Sequence, residues 1–90
     1  MLICILDGNN ITNREVLHDT LAASLQFPDW YGRNLDALHD CLSEIREETE
    51  ILLLHEEALE NHLGCYSKAF RKSVDDACLE NSRIHFKSYT

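Results

Sequence analysis

The sequence predicts an α/β fold in which a small three-stranded parallel sheet is packed by about four helices. The first observation is a pair of short, unbroken apolar runs of strand length, at residues 2–6 and 51–54. The second is a segment from Ile84 to Phe86 in which apolar and polar residues alternate, as in a strand with one buried face. The third is that two helical patterns separate each pair of successive strands, which leaves enough chain for a crossover between parallel strands.

The length and composition fit a single domain that spans residues 1–90. The chain has 90 residues, of which 44% are hydrophobic, and it contains only one proline. A chain of this size forms one hydrophobic core. Because two of the strands are apolar on both sides, we expect helices to cover the sheet, although a sheet this small can leave one face incompletely covered.

The first predicted strand is followed by the turn-forming residues Asp7–Asn10. Thr12 and Glu15 have the spacing of a capping box, which predicts a first helix over residues 13–25 with Thr12 as its N-cap. Pro28 disfavours helical geometry at the residue before it and therefore closes this helix.

Three more helices are predicted after this point. Asn34 is a suitable N-cap for a second helix over residues 34–46. The apolar residues of this helix recur at intervals of three and four and form one stripe: Leu35, Leu38, Leu42 and Ile45. The apolar run that follows predicts the central strand. A short helix over residues 55–63 is then stopped by Gly64, and a fourth helix lies within residues 66–79.

The net charge argues against direct binding to nucleic acid. Sixteen acidic and eight basic residues give a formal net charge of -8, which repels a phosphate backbone. Residues 29–60 hold ten of the acids and only two of the bases. A patch of this kind favours a basic partner, with a merely solvated acidic face as the alternative.

The four cysteines are scattered, with neither metal-site spacing nor a disulfide-dense pattern. They are therefore expected to be reduced thiols, and no metal or other cofactor is expected. The N-terminus lacks the pattern of a signal peptide, and no apolar run reaches membrane-spanning length. These features predict a cytoplasmic protein that does not bind membranes.

The second predicted helix carries the candidate binding residues. Asp36, Asp40, Ser43 and Glu47 fall on one line opposite the leucine stripe, with His39 beside them. This helix is therefore expected to be apolar on its inner face and acidic on its outer face.

The loop that leads into this helix contains Trp30, the only tryptophan, followed by Tyr31 and Gly32. Large amphipathic rings beside carboxylates are typical of binding hot spots. The alternatives are that Trp30 belongs to the core and that Asp36 only opposes the helix dipole. Asp40 lies beyond the first helical turn, where the dipole effect has faded, so only a solvated helix face competes with a binding role there.

Residues 27–44, FPDWYGRNLDALHDCLSE, resemble the signature of the barstar family of intracellular inhibitors of bacterial ribonucleases. Weaker similarity extends over the whole chain and includes Asp7 and Gly8 after the first strand, and Cys78 eight residues beyond Phe70. The resemblance implies the fold of that family, a three-stranded parallel sheet with four helices, and a protein that has no catalytic activity of its own.

The resemblance also implies an inhibitory surface on the loop and the second helix. Carried onto this chain, that surface comprises Trp30, Tyr31, Gly32, Asn34, Leu35, Asp36, His39, Asp40 and Ser43. Asp40 would replace an RNA phosphate in the active site of a basic, guanyl-preferring ribonuclease of the barnase type, through charge-assisted hydrogen bonds. The resemblance implies a one-to-one complex, and the free protein is expected to be a monomer.

Two positions depart from the family pattern. His39 stands where the family often has a large aromatic residue, and Lys72 stands at an acidic contact of the last helix, so that Asp75 or Asp76 would have to supply the acid. Since histidine titrates near neutral pH, a positive charge on His39 in mild acid would oppose a basic partner. We therefore expect binding to weaken on acidification.

Two other functions compete with inhibition of a ribonuclease. An enzyme could hold a metal through Asp36, His39 and Asp40, beside Cys41, but neither a second ligand cluster nor a water-excluding pocket is evident. An immunity protein or antitoxin against a toxin that is not a ribonuclease could have the same fold and acidic surface. The remaining histidines show no partner spacing and are expected to be structural: His18, His55, His62 and His85.

Overall fold

The computed structural model describes residues 1–89 and contains the predicted elements in the predicted order. They are β1 (Leu2–Asp7), α1 (Arg14–Leu25), α2 (Leu35–Ser43), β2 (Thr49–Leu54), α3 (Glu56–Leu63), α4 (Cys65–Glu80) and β3 (Ile84–Ser88). The strands form one parallel sheet in the order β1-β2-β3. The predicted α/β fold, with β2 as its central strand, is therefore confirmed.

The helices cover one face of the sheet and leave the other open. In β1, Cys4 and Leu6 point toward the helices and are completely buried, whereas Ile3 and Ile5 point away and are 53% and 54% exposed. Helices therefore do not cover both sides of β1, and the structure shows the incomplete coverage of one face that was allowed for so small a sheet. The reason is that a chain of this length supplies only one layer of helices, which packs on a single side of the sheet.

The first helix begins at Arg14, one residue later than predicted. Asn13, not Thr12, is the N-cap, and its Oδ1 accepts a hydrogen bond from the backbone N–H of Val16 at 2.9 Å. Asn and Thr are both good caps, and the spacing from Thr12 to Glu15 selects the wrong one of two neighbours. The helix ends as predicted, with Gln26 in a left-handed conformation two residues before Pro28.

The second helix ends at Ser43, earlier than the predicted boundary at residue 46. Its end is held from α4, because the side-chain amide of Asn81 donates to the carbonyl oxygens of Leu42 and Ile45 at 3.0 and 2.9 Å. Asn81 is also the C-cap of α4. This one residue therefore satisfies carbonyl groups at the end of α2 and fixes α2 against α4.

Candidate protein-binding surface

The loop before α2 is held in one conformation by three polar contacts. The Oδ1 of Asn34 caps α2 by accepting from the backbone N–H of Ala37 at 2.8 Å, and its Nδ2 donates to the carbonyl oxygen of Gly32 at 3.2 Å. Arg33 has a left-handed φ of 52°, and its guanidinium pairs with Asp19 of α1 at 2.8 Å. The predicted cap at Asn34 is thus confirmed, and it also anchors the loop.

The two aromatic residues of the loop point in opposite directions. Trp30 is 79% exposed, so the alternative that places it in the core is wrong. Tyr31 is only 6% exposed and packs against Phe27, with their ring centroids 4.9 Å apart. Trp30 therefore exposes most of its indole ring to solvent, whereas Tyr31 is nearly covered and supports the loop from below.

Beneath the loop, the imidazole of His18 joins two tyrosine hydroxyls. Its Nδ1 lies 2.6 Å from the hydroxyl of Tyr31 and its Nε2 lies 2.8 Å from the hydroxyl of Tyr66. Burial lowers the pKa of His18, the nearby charge of Arg33 lowers it further, and Asp19 partly opposes this. A neutral imidazole donates to one hydroxyl and accepts from the other, so it satisfies both. His18 therefore helps to position the loop, a role that the sequence does not reveal.

The outer face of α2 is acidic and open to solvent, as predicted. Asp36, Asp40 and Ser43 are exposed, while Leu38 and Leu42 on the opposite face are completely buried. The side-chain carboxylates of Asp36 and Asp40 form no ion pair with another residue of 1–89. The helix therefore exposes two carboxylates to solvent without a counterion among the described residues.

Trp30 and α2 enclose an open cavity of about 420 Å³. Its lining consists of Trp30, Tyr31, Gly32, Ala37, Asp40, Cys41, Ser43 and Glu44. The pKa of Cys41 is raised, first by burial and then by the negative charges of Glu44 and Asp40. The cavity thus combines an aromatic wall with a negative potential, which suits a cationic side chain.

The adjoining face of α4 adds charges that the sequence alone does not place beside α2. Oε2 of Glu80 lies 2.8 Å from Nε2 of His39 and 3.4 Å from Oγ of Ser43. Nζ of Lys72 lies 3.3 Å from Oδ2 of Asp76, and both residues line a shallow groove with Asp36 and His39. The acidic surface therefore spans two helices.

Of the two acids that could replace the reversed charge at Lys72, only Asp76 borders this surface. Asp75 lines a separate groove together with Lys68, Arg71, Lys72, Phe86 and Ser88. Asp76 is already paired with Lys72, so the net charge contributed by this part of α4 is small. Leu35, also predicted for the surface, is partly buried and packs against the core.

Within residues 1–89, no group of three or more His, Cys, Asp or Glu side chains is arranged to hold a metal ion. Among the helices of the same residues, none is both long and apolar enough to cross a bilayer. All four cysteines are free thiols.

Comparison with known proteins places this arrangement in a family. The sequence model of the family described as Barstar (barnase inhibitor) matches residues 1–89. The chain belongs to the barstar family. A protein of Bacillus subtilis strain 168 named "Putative ribonuclease inhibitor YrdF" is 42% identical over 74 residues, which are 81% of this chain and 81% of that protein. The resemblance of residues 27–44 to barstars is thus confirmed.

At the two positions that depart from the barstar pattern, His39 and Lys72, the structure shows a partner on α4. His39 is tied to Glu80, and Lys72 is tied to Asp76, so each of these two residues pairs with an acid of α4. Neither Glu80 nor Asp76 can be placed beside α2 from sequence spacing, because the contact depends on how α2 and α4 pack.

Proposed function

We propose that this chain inhibits a bacterial ribonuclease by inserting the carboxylate of Asp40 into the phosphate-binding site of the enzyme. The observation that carries the proposal is the position of Asp40, whose exposed carboxylate lines the cavity beside Trp30 and has no counterion within residues 1–89. Membership in a family of ribonuclease inhibitors supports the same function.

A ribonuclease binds its substrate with cationic side chains that surround a phosphodiester. A carboxylate can take the place of that phosphate through short, charge-assisted hydrogen bonds, which are bidentate when the donor is arginine. Asp36 extends the acidic surface by one helical turn, and Trp30 supplies apolar contact area beside it. The inhibitor needs no chemistry of its own, because occupation of the active site excludes RNA. It is an inhibitor rather than an enzyme.

The charge of the surface also affects the rate of association. The net charge of -8 attracts a basic enzyme before contact, and dissolved salt screens this attraction. We therefore expect a one-to-one complex with a basic ribonuclease of the barnase type, and an association rate that falls as the ionic strength rises.

The direct test mixes the protein with a guanyl-preferring microbial ribonuclease and follows the cleavage of RNA. The wild type is expected to block cleavage at one equivalent. The Asp40→Asn variant should lose several kcal/mol of binding free energy, a magnitude for which barnase with barstar is itself the standard example. A rim contact would cost less than about 1 kcal/mol.

Asp75→Asn is the matched control for this experiment. It removes the same charge from an exposed acid of α4, but Asp75 lies in the groove with Lys68 and not on the proposed surface. Inhibition that survives Asp40→Asn unchanged, or that falls equally in both variants, would show that Asp40 does not replace the phosphate.

The salt bridge between Lys72 and Asp76 supports a second candidate partner. Because this pair contributes little net charge, this part of α4 lacks the acidic contact that the barstar pattern has there. A toxin that is not a ribonuclease, neutralised by this chain as an immunity protein, is therefore the second candidate. If the chain neutralises such a toxin but leaves guanyl-preferring ribonucleases active, this alternative replaces the first.

A further inference from the structure

The face of the sheet that points away from the helices is apolar at its centre and open to solvent. Ile3 and Ile5 are more than half exposed, and Leu52 and Leu54 of the central strand are only partly buried. Tyr89, which follows β3, is 50% exposed. Parallel sheets in folded proteins are almost always covered on both faces. The exposed apolar area is therefore unusual for a parallel sheet and is a candidate interaction surface.

The strand register places two opposite charges beside the centre of this face. Leu52 lies at the centre, with Ile5 on β1 and Lys87 on β3 as its lateral neighbours. One step earlier along β2, Glu50 lies between Ile3 and His85. Glu50 and Lys87 thus flank Leu52 in two directions at right angles to each other, one along the strand and one across it.

A third row of side chains completes the open face of the sheet. Leu54 pairs with Asp7 of β1. The backbone N–H of Tyr89 donates to the carbonyl oxygen of Leu53 at 2.8 Å, and the backbone N–H of Glu56 donates to the carbonyl oxygen of Tyr89 at 3.0 Å. These bonds hold Tyr89 beside Leu54. By the alternation of side chains along a strand, Tyr89 lies on the same face as Lys87.

We propose that this face binds a second copy of the same chain, with the two sheets packed face to face and their strands crossing at about 90°. The two copies are related by a two-fold axis that lies in the plane of the interface, passes through Leu52 and runs at 45° to the strands. Rotation about this axis turns the direction from Leu52 to Glu50 into the direction from Leu52 to Lys87, and the reverse. Glu50 of each copy then lies over Lys87 of the other. Two ion pairs form, and Leu52 packs on Leu52 at the centre.

The same rotation matches the remaining apolar residues. Ile5 of one copy lies over Leu54 of the other, and Ile3 lies over Tyr89. A two-fold axis along the strands would instead place Glu50 on Glu50, and an axis across the strands would place Lys87 on Lys87. The diagonal axis also brings Asp7 over Asp7 and His85 over His85 at two corners of the face. Of these three axes it alone forms contacts between opposite charges, and it forms two of them. The charge pattern therefore favours the diagonal axis and an orthogonal packing of the sheets.

The size of the face limits the strength of the dimer. Three strands about 4.8 Å apart and roughly 20 Å long cover less than the ~800 Å² per partner that stable complexes bury. The dimer is therefore weak, and the monomer predominates in dilute solution. The acidic surface on α2 lies in the helical layer, on the other side of the sheet, so each copy keeps it free for a ribonuclease.

Sedimentation equilibrium over a series of concentrations tests this dimer. The average mass is expected to rise from the 10.4 kDa of the monomer toward twice that value as the concentration increases. Glu50→Lys and Lys87→Glu should each weaken self-association by about tenfold, because each variant places like charges together twice. Lys68→Glu, a charge reversal at an exposed residue of α4, is the matched control and should leave the mass curve unchanged.

An equimolar mixture of the two single variants is the decisive measurement. In a mixed dimer, the lysine introduced by Glu50→Lys faces the glutamate introduced by Lys87→Glu. The unchanged Lys87 of the first variant then faces the unchanged Glu50 of the second. Association should therefore return to the wild-type level, which an effect within one chain cannot produce.

Circular dichroism confirms that each variant is folded. A mass that stays at 10.4 kDa at every concentration would overturn the proposal, and so would a mixture that associates no better than its components.

Discussion

Oε2 of Glu80 lies 2.8 Å from Nε2 of His39, so the last turn of α4 holds a histidine in the middle of the acidic surface. His39 also lines a groove with Asp36 of its own helix and with Lys72 and Asp76 of α4. The contact between His39 and Glu80 therefore joins α2 to α4 within the acidic surface.

The first prediction concerns the charge at position 39. His39→Lys adds a permanent positive charge to the acidic surface, so affinity for a basic ribonuclease should fall. His39→Gln, a neutral side chain of similar size, is the control and should bind more tightly than His39→Lys. Calorimetric titration of both variants with the same enzyme measures the difference. Equal affinities of the two variants would contradict the prediction.

Glu80 should contribute to binding through its charge. Glu80→Gln removes a carboxylate that lies beside His39 and Ser43 on the acidic surface, so affinity for a basic ribonuclease should fall by up to about 1 kcal/mol. Asp75→Asn removes an equal charge from the groove with Lys68 and should leave the affinity nearly unchanged. Calorimetric titration of both variants measures the difference. If both variants lose affinity equally, a general effect of net charge explains the result, not the position of Glu80.

The pH dependence of folding should follow His18. Burial lowers the pKa of His18 in the folded state below its ordinary value of 6.5. Above pH 6.5 the imidazole is neutral in both states, and below it the unfolded chain binds the proton more readily. The free energy of unfolding should therefore fall as the pH drops below about 6.5. Urea denaturation of the wild type and of His18→Gln should show a weaker dependence in the variant.

Loss of the Tyr31 hydroxyl should destabilise the protein. Tyr31→Phe leaves Nδ1 of the buried His18 without its partner at 2.6 Å, which should cost about 1 to 3 kcal/mol. Tyr66→Phe removes the bond to Nε2, which is less buried, and should cost less. A double-mutant cycle with His18→Gln would isolate the coupling. Additive effects in that cycle would show that the bond contributes nothing to stability.

The side chain of Asn81 should stabilise the end of α2. Asn81→Ala removes two hydrogen bonds to the carbonyl oxygens of Leu42 and Ile45, so the free energy of unfolding should fall by about 1 to 3 kcal/mol. Ser82→Ala, at the exposed neighbouring position, serves as the control. Thermal and denaturant unfolding measure both. A variant at Asn81 as stable as this control would mean that water replaces the amide at no cost.

The order of strands and helices can be predicted from the sequence because it depends on local patterns. The residues of the predicted stripe of α2 lie three or four positions apart, and the cap at Asn34 directly precedes the helix. The cap is confirmed, and so is the stripe up to Leu42, whereas Ile45 lies beyond the end of the helix. The predicted cap of α1 is wrong by one residue because Thr12 and Asn13 are neighbours with similar capping ability. Local rules therefore determine the type of element more reliably than its first residue.

The parts of the surface that cannot be predicted depend on contacts between distant residues. Glu80 lies 37 residues from Ser43 along the chain, and His18 lies 13 residues from Tyr31. No spacing rule connects residues so far apart, since their proximity follows from how α4 and α1 pack. The sequence also does not show which side of β1 is open, because an apolar run looks the same whether both of its sides are covered or only one.

The contacts that fix the loop before α2 reduce the conformational entropy that this loop can lose on binding. Asn34 holds Gly32, Arg33 is paired with Asp19, and Tyr31 is bonded to His18, so the indole of Trp30 stands on a rigid base even when no partner is present. Little conformational freedom is then left to be lost on docking. The free and bound forms of this chain should therefore superimpose closely along residues 30–34.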